Sequence, residues 1–388
     1  MRPFIFLVII IVFQACQDKE SSNNYSTSNE GWAFTHFKKV DSLNPILSPS
    51  KTLSFIDPIT NTTVKWEERN VLNPTAVVKD NKVYLLYRAQ DLQGTSRIGM
   101  AISNDGLHFK KMDAPVFYPD NDSMKEFEWN YKKSLTQQTN SEDCYFCYFD
   151  GVEDPRIVEN KQGEYIMTYT SYDGKNARLS IASSKDLKNW TKHGLVLKEK
   201  KYKDRWSKAG AIVSELQGNK ILAKKVNGKY WMYFGDTNIF MAYSDDLINW
   251  KVAENKESGK MISVLHPRMG YFDSRLVEPG PYALINNNGV LLIYNGSNAT
   301  NFNDPMLPKF TYSAGQALFD KENPFKLIDR TESYFIYPDK DYEKIGEVNE
   351  VCFVEGLVYF KEQWFLYYGT ADSKIAVATN SKQNFNTQ

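Results

Sequence analysis

The sequence predicts an all-β protein built as a five-bladed β-propeller. Short apolar-aromatic strands that begin at a turn recur five times, at residues 81–87, 163–169, 228–233, 289–294 and 362–368. Most are followed by a second strand ending in a small residue and a hydroxyl or amide, and amphipathic helical segments are almost absent. Strand pairs recurring at intervals of roughly 60–80 residues favour a propeller with one pair per blade. A two-sheet sandwich is the alternative, although it would not require the same unit five times.

The N-terminal residues predict export. Residues 1–16 place Arg2 before an apolar run at 4–13, which is too short to span a bilayer and is typical of a signal peptide. Cys16 follows Ala15 where cleavage would fall, as in a bacterial lipoprotein, so we expect a lipid anchor on Cys16. The Ser/Asn-rich residues 17–40 form a predicted tether, and 41–388 form the propeller domain. The expected location is the periplasm, the outer membrane or the cell surface.

Composition excludes several function classes. Lys+Arg and Asp+Glu both number 47, so the formal net charge is zero and no basic excess points to nucleic acid. Cys144 and Cys147 form a C-x-x-C without a second such pair, which predicts a local disulfide or two packed thiols. With Cys352 alone and four histidines, no metal site is expected.

Polar residues cluster where the predicted inner strands end. Any one of them could be a solvated charge or a turn residue, and the run Gly151–Arg156 could be a surface turn closed by proline. In a propeller, however, these ends converge on one pocket. A ring of acids, amides and cations suits a polyhydroxylated ligand. The candidates are Asn73, Arg88, Asp91, Glu153, Asp154, Arg156, Lys208, Asp236, Glu278 and Asp372.

Several of these runs resemble glycoside hydrolase family 130, in collinear order over about residues 44–380. The matching segments are 44–47, Trp66, Asn73-Pro74, 87–89, 151–156, 227–230, 244–250, 342–343, Gly346, Val351 and 367–372. The resemblance implies a five-bladed propeller that acts on β-mannosides, as an inverting phosphorylase or a hydrolase.

The resemblance also implies roles for individual residues. Asp154 matches the family's proton donor. The positions that bind the sugar before the scissile bond match Asn73, Arg88, Asp91 and Asp372. Glu153, Arg156 and Lys208 complete the predicted substrate contacts.

The family's phosphorylases typically hold phosphate with an arginine and a histidine. Here those places read Phe234-Gly235-Asp236 and Tyr294-Asn295-Gly296, and another family position carries Glu278. Carboxylates at contact range repel an anion, and the hydrolytic members place acids there to activate water. Glu278 is therefore the first candidate for the general base, followed by Asp236.

The predicted function is hydrolysis, with inversion, of a β-mannoside in manno-oligosaccharides or mannosylated glycans. Asp154 would donate a proton, its pKa raised by burial or by Glu153, and no metal or cofactor is required. A phosphorylase is the alternative, with phosphate gathered by Lys208, Lys224, Lys225 and Arg156. A non-catalytic glycan-binding propeller is the third reading. The only partner expected is the glycan, and membrane contact is expected only through the lipid anchor.

Overall fold

The computed structural model describes residues 31–34, 36–133 and 149–380. Regular structure in them is nearly all β, and helix is confined to short turns such as α1 (Lys125–Glu128) and α2 (Asp341–Lys344). The predicted all-β class is therefore confirmed. The predictions for Cys16 and for the Cys144/Cys147 pair concern positions outside the described residues. In the described part of the chain, no helix has the length and apolar character needed to cross a membrane.

The long strands form antiparallel groups that follow one another along the chain. Three short strands come first: β1 (Lys38–Lys39), β2 (Phe55–Asp57) and β3 (Thr62–Val64). The first group is β4 (Asn70–Lys79), β5 (Lys82–Gln90), β6 (Thr95–Ser103) and β7 (Phe109–Lys111). The second is β8 (Asp150–Glu159), β9 (Tyr165–Tyr172), β10 (Ala177–Ser184) and β11 (Trp190–Leu195).

The third group holds the most strands: β12 (Ala211–Gln217), β13 (Lys220–Ala223), β14 (Lys225–Val226), β15 (Lys229–Phe234), β16 (Ile239–Ser244), β17 (Trp250–Val252) and β18 (Ser263–Leu265). The fourth is β19 (Leu276–Pro279), β20 (Ala283–Ile285), β21 (Val290–Ser297), β22 (Tyr312–Phe319) and β23 (Leu327–Arg330). The fifth is β24 (Cys352–Phe360), β25 (Gln363–Thr370) and β26 (Lys374–Asn380), with β1 paired to β26.

The five repeated segments of the sequence are central strands of these groups. Each carries a tyrosine that is fully buried: Tyr87, Tyr169, Tyr233, Tyr294 and Tyr367. Every one of these hydroxyls donates a hydrogen bond, at 2.7–2.9 Å, to a carboxylate or a backbone carbonyl of another segment. A buried phenol needs such a partner, so the repeated aromatic both fills the core and ties its group to a connecting loop.

Parallel contacts join neighbouring groups. Thr95 of β6 lies beside Asp150 of β8, and Val213 of β12 lies beside Ala283 of β20. These contacts place consecutive groups side by side. Residues on β4, β8, β19 and β24 line a common cavity although they are far apart in sequence.

Candidate active site

Two equivalent bulges hold the first pair of site residues. Asn73 on β4 and Asp154 on β8 both have positive φ, +45° and +49°, and each is followed by proline. The pairing register of the strand shifts at each point. Asn and Asp tolerate this left-handed conformation better than most residues, and proline cannot donate to the ladder. Each Asn/Asp-Pro dipeptide therefore turns its polar side chain out of the sheet pattern, as bulges near active sites commonly do.

These side chains face a cavity of about 280 Å³. All five strand groups, or the segments leading into them, contribute to its lining. Its walls are formed by Asn73, Arg88, Asp154, Lys208, Arg275, Glu278, Phe310, Tyr312, Val348, Val351, Phe353 and Asp372. The volume suits a small ligand, and the mixture of charged groups with aromatic and aliphatic surface is typical of a sugar site.

Asp154 lies on the cation-rich side of the cavity and is 2% exposed. Asn73 Nδ2 donates to its Oδ1 at 2.8 Å, and Arg88 Nη1 approaches the same oxygen at 3.3 Å. Lys208 Nζ is 3.1 Å from the other carboxylate oxygen. Arg88 and Lys208 also pair with Glu153, at 2.7 and 3.7 Å. Two cations and two adjacent carboxylates thus form one buried network.

The network determines the charge of Asp154. Burial alone would raise the pKa of this carboxyl, but the charges of Lys208 and Arg88 and the hydrogen bond from Asn73 outweigh burial and hold its pKa below the usual range. Asp154 is therefore ionised at neutral pH without ligand. The sequence-based expectation of a raised pKa is wrong for Asp154. Burial raises the pKa of Glu153 instead.

Glu278 lies in the opposite electrostatic setting. It is 5% exposed, and its Oε1 has no hydrogen-bond partner among the described residues. Burial raises its pKa to about 8; Lys208 opposes that shift, while the negative charges of Asp236 and Asp154 add to it. Because Glu278 lines the cavity and one of its carboxyl oxygens has no partner in the described part of the protein, the carboxyl keeps hydrogen-bonding capacity for a ligand. Its pKa near neutrality also suits proton transfer.

Asp372 follows β25 and also faces the cavity. Both Ala371 and Asp372 have positive φ, which turns the chain at this point. Burial raises the pKa of Asp372 to about 6, against the opposing charge of Arg88. The structure thus brings Asn73, Arg88, Asp154, Lys208, Glu278 and Asp372 together on one cavity, as the sequence predicted.

The structure corrects the predictions for Asp91 and Arg156. Asp91 does not line the cavity: its carboxylate is 2.7 Å from Arg97 and accepts a hydrogen bond from Thr95 N. Arg156 is 3% exposed and is directed into the core. Glu153 lies beneath the cavity wall, where it binds Arg88 and Lys208 rather than facing the cavity. Strand-end position alone did not distinguish residues that face the cavity from those that point away.

Arg156 instead holds the wall that carries Glu278. Its guanidinium donates to the carbonyls of Pro279 and Gly280, at 2.7 and 2.6 Å. It also donates to the backbone carbonyl of Asp154 at 3.2 Å and pairs with Glu355, 3.0 Å away and fully buried on β24. Arg156 therefore links the strand of Asp154 to the residues that follow Glu278, and we infer that it positions these two carboxyls relative to each other.

Glu355 was missed by the sequence analysis, as were the cavity residues Arg275, Phe310 and Tyr312. Glu355 lies at the register shift of β24, between Val354 and Gly356. A register shift also marks the bulges of the first two groups, but Glu355 has no positive φ and is followed by glycine rather than proline. An acid inside an otherwise apolar strand was the signal available in the sequence.

Asp236 lines a neighbouring cavity rather than the first one. The indole Nε1 of Trp206 donates to its carboxylate. Its charge still acts on Glu278. Asn295 occupies the position at which the sequence resemblance implies a histidine in the phosphorylases. Its side-chain amide donates to Val354 O and accepts from Val354 N, so its hydrogen-bonding groups are already used within the core.

An all-β scaffold with carboxyls and cations around a cavity of this size is compatible with a glycoside-active enzyme. A family model described as beta-1,4-mannooligosaccharide phosphorylase matches residues 38–386. The chain belongs to glycoside hydrolase family 130, and the predicted family is therefore confirmed.

Three relatives illustrate the range of similarity. A 1,2-beta-oligomannan phosphorylase from Thermoanaerobacter sp. is 30% identical over 325 residues, covering 81% of this chain and 90% of the relative. A putative glycosidase from Bacteroides thetaiotaomicron, known as a crystal structure, is 41% identical with a TM-score of 0.84, covering 91% and 98% of the two chains. A third structure is 40% identical with a TM-score of 0.84, covering 91% and 95%. It comes from work describing family-130 glycoside hydrolases that target beta-1,2 mannosidic linkages in Candida mannan.

Proposed function

We propose that this protein cleaves β-1,2-mannosidic bonds in the cavity between Asp154 and Glu278, with water as the acceptor. The observation that carries the proposal is Glu278, a buried carboxyl with a pKa of about 8 and one unpaired oxygen on the wall of the cavity that also holds Asp154. The linkage is supported by two relatives, one associated with 1,2-beta-oligomannan and the other with beta-1,2 mannosidic linkages.

In the proposed reaction, water attacks the anomeric carbon while Glu278 accepts its proton. Asp154 supplies a proton to the leaving oxygen, directly or through a sugar hydroxyl. Inversion follows if the two carboxyls act from opposite faces of the ring, about 6.5–9.5 Å apart. The reacting pair then needs one proton, on Asp154.

The ligand-free protein at neutral pH also has one proton on this pair, but on Glu278. Lys208 controls the difference because it contacts Asp154 and also acts electrostatically on Glu278. A bound sugar that draws Lys208 away from Asp154 would raise the pKa of Asp154 and move the proton to the acid. Substrate binding would thereby set the protonation state that catalysis requires.

Phosphorolysis is the second candidate, and the curated relatives favour it. The relative compared above is named a phosphorylase, and the cations Arg275 and Lys208 both line the cavity. Because the pKa of Glu278 is about 8, this carboxyl is mostly neutral at pH 7 and repels phosphate less than the sequence suggested. The aromatic and amide groups of the cavity would also serve a non-catalytic glycan-binding protein.

One product analysis separates these readings. Purified protein is incubated with β-1,2-linked manno-oligosaccharides, with and without phosphate, and products are followed by NMR. We expect free mannose, released first as the α anomer, at a rate indifferent to phosphate. Mannose 1-phosphate as the main product would overturn hydrolysis in favour of phosphorolysis. Binding without any product would support only the third function, a non-catalytic glycan-binding protein.

The finer architecture is also a proposal. We propose that the five strand groups are the blades of a propeller whose first strands surround the cavity. The support is that Asn73, Asp154, Glu278 and Phe353 lie on the first strands of four groups, and that Lys208 lies just before the first strand of the remaining one. A crystal structure would test this arrangement directly.

We likewise propose residues 1–16 as a lipoprotein signal, 17–40 as a tether and 41–388 as the enzyme domain. The apolar run at 4–13 followed by Cys16 supports the assignment. Replacement of Cys16 by Ser should abolish labelling by a fatty acid and release the protein from membranes. Continued labelling of that variant would contradict the anchor.

A further inference from the structure

The protein has a second cavity, of about 450 Å³. Its lining includes Arg205, Trp206, Asp236, Asn238 and Phe240. Aromatic surface is thus combined with an acid, an amide and a guanidinium. None of these side chains lines the first cavity.

The two cavities share structural segments. Trp206 is two residues from Lys208, whose carbonyl accepts a hydrogen bond from Gly235 N at 2.9 Å. On the other side, Val277 N donates to Thr237 O at 3.2 Å, directly before Glu278. The walls of the second cavity are therefore continuous with the segments that carry Lys208 and Glu278, so one extended ligand could occupy both cavities.

Trp206 is the residue of this cavity that most needs explanation. It is 48% exposed, although a large aromatic side chain gains free energy when it is buried. It is nevertheless held in place, since its Nε1 donates to Asp236 and its ring meets Tyr172 edge to face at 6.1 Å. An indole with a fixed orientation and an exposed surface is characteristic of a binding site.

We propose that this second cavity, with Trp206 as its platform, binds a further pyranose unit of the glycan whose scissile bond lies between Asp154 and Glu278. A pyranose has an apolar C–H face, which the indole can cover, and an edge of hydroxyls. Asp236, Asn238 and Arg205 offer acceptors and donors for those hydroxyls. The inference rests on the proposed function. It also gives Asp236 a role in sugar binding, in place of the base role predicted from the sequence.

The test measures how affinity depends on chain length. Binding of β-1,2-mannobiose and of the corresponding tetrasaccharide is measured by calorimetry in an Asp154→Asn background, which prevents turnover. Trp206→Ala should weaken tetrasaccharide binding about tenfold, because one sugar face loses its apolar contact, and should weaken mannobiose binding less. Trp206→Phe keeps an aromatic face without the Nε1 donor, and should retain most of the affinity for the tetrasaccharide.

Trp32→Ala is the matched control. Trp32 also donates its Nε1 to a carboxylate, that of Asp329 at 2.7 Å, but it does not line this cavity. Its replacement should leave the affinity for both sugars unchanged. Equal losses for both sugars in Trp206→Ala, or no loss for the tetrasaccharide, would overturn the subsite while the proposed function stands. Failure of the parent protein to bind either sugar would overturn both proposals.

Discussion

Asp154 and Glu278 lie on two different walls of the cavity, and these walls set the pKa values of the two carboxyls in opposite directions. Asp154 is surrounded by Lys208, Arg88 and Asn73, and its pKa is held low although it is 2% exposed. Glu278 is similarly buried but has an unpaired oxygen, and its pKa rises to about 8. Burial is therefore common to both sites, and the placement of the cations decides which carboxyl holds the proton.

The largest expected effect comes from removing the carboxyl of the cation-rich wall. Asp154→Asn should lower turnover about 10²–10⁴-fold because the amide cannot supply a proton to the leaving oxygen. Steady-state kinetics on manno-oligosaccharides measure this loss, and circular dichroism checks the fold. Asp150→Asn is the control, since Asp150 is a fully buried carboxylate on the same strand and pairs with Lys133 instead. A well-folded Asp154→Asn protein with unchanged turnover would remove Asp154 from the mechanism.

The matching change on the other wall is Glu278→Gln. The amide can still hydrogen-bond the ligand but cannot accept a proton from water, so turnover should fall about 10²-fold with substrate binding retained. Azide or formate should restore part of the rate by entering the vacated nucleophile position. Glu67→Gln is the control, because Glu67 is a buried glutamate bound to Tyr87 and Lys111. If Glu278 only closes a turn before Pro279, its variant will instead show a full rate and slightly lower stability.

A smaller effect is expected from loosening the connection between the walls. In the variant Arg156→Lys, the side chain cannot bind the carbonyls of Pro279 and Gly280 and also Glu355. We therefore expect kcat to fall about tenfold, because Glu278 is misplaced. Thermal unfolding should also show a loss of stability, up to a few kcal/mol.

Arg97→Lys separates positioning from stability. Arg97 is equally buried and pairs with Asp57 and Asp91, at 2.6 and 2.7 Å, away from the cavity lining. Both arginine variants should lose thermal stability, whereas only Arg156→Lys should lose kcat. Equal kcat in the two variants would reduce Arg156 to a structural residue.

The smallest effect is the pH dependence of the free enzyme. The reaction needs one proton on the pair, and the ligand-free pair loses that proton from Glu278 through a pKa of about 8, so kcat/KM should fall about twofold between pH 7 and pH 8. A wild-type profile that is flat over this interval would place the controlling base elsewhere.

The same pKa has a consequence for stability. Because the pKa of Glu278 is raised on folding, the native state favours the protonated form, and stability is lost progressively as the pH rises from the ordinary pKa of 4.5 to about 8. The melting temperature of Glu278→Gln should therefore exceed that of the wild type above pH 8 and approach it below pH 5. The opposite order above pH 8 would contradict the raised pKa.

The sequence by itself determined the repeating unit and most of the polar ring. The apolar-aromatic segments became central strands because their composition and period suit a buried sheet. The dipeptides Asn73-Pro74 and Asp154-Pro155 became bulges because Asn and Asp tolerate positive φ and proline cannot pair. These are local properties, so they could be read without knowledge of the remaining chain.

Tertiary structure alone decided what those residues face and how they are charged. Arg156 turns into the core, and its partner Glu355 comes from a strand about 200 residues later. The proton lies on Glu278 rather than Asp154 because Lys208 and Arg88 approach Asp154 from other segments. The charge state of a buried group depends on solvation and on neighbours brought together by folding. The order of residues along the chain contains neither quantity, which is why the sequence located the two carboxyls but not which of them holds the proton in the ligand-free protein.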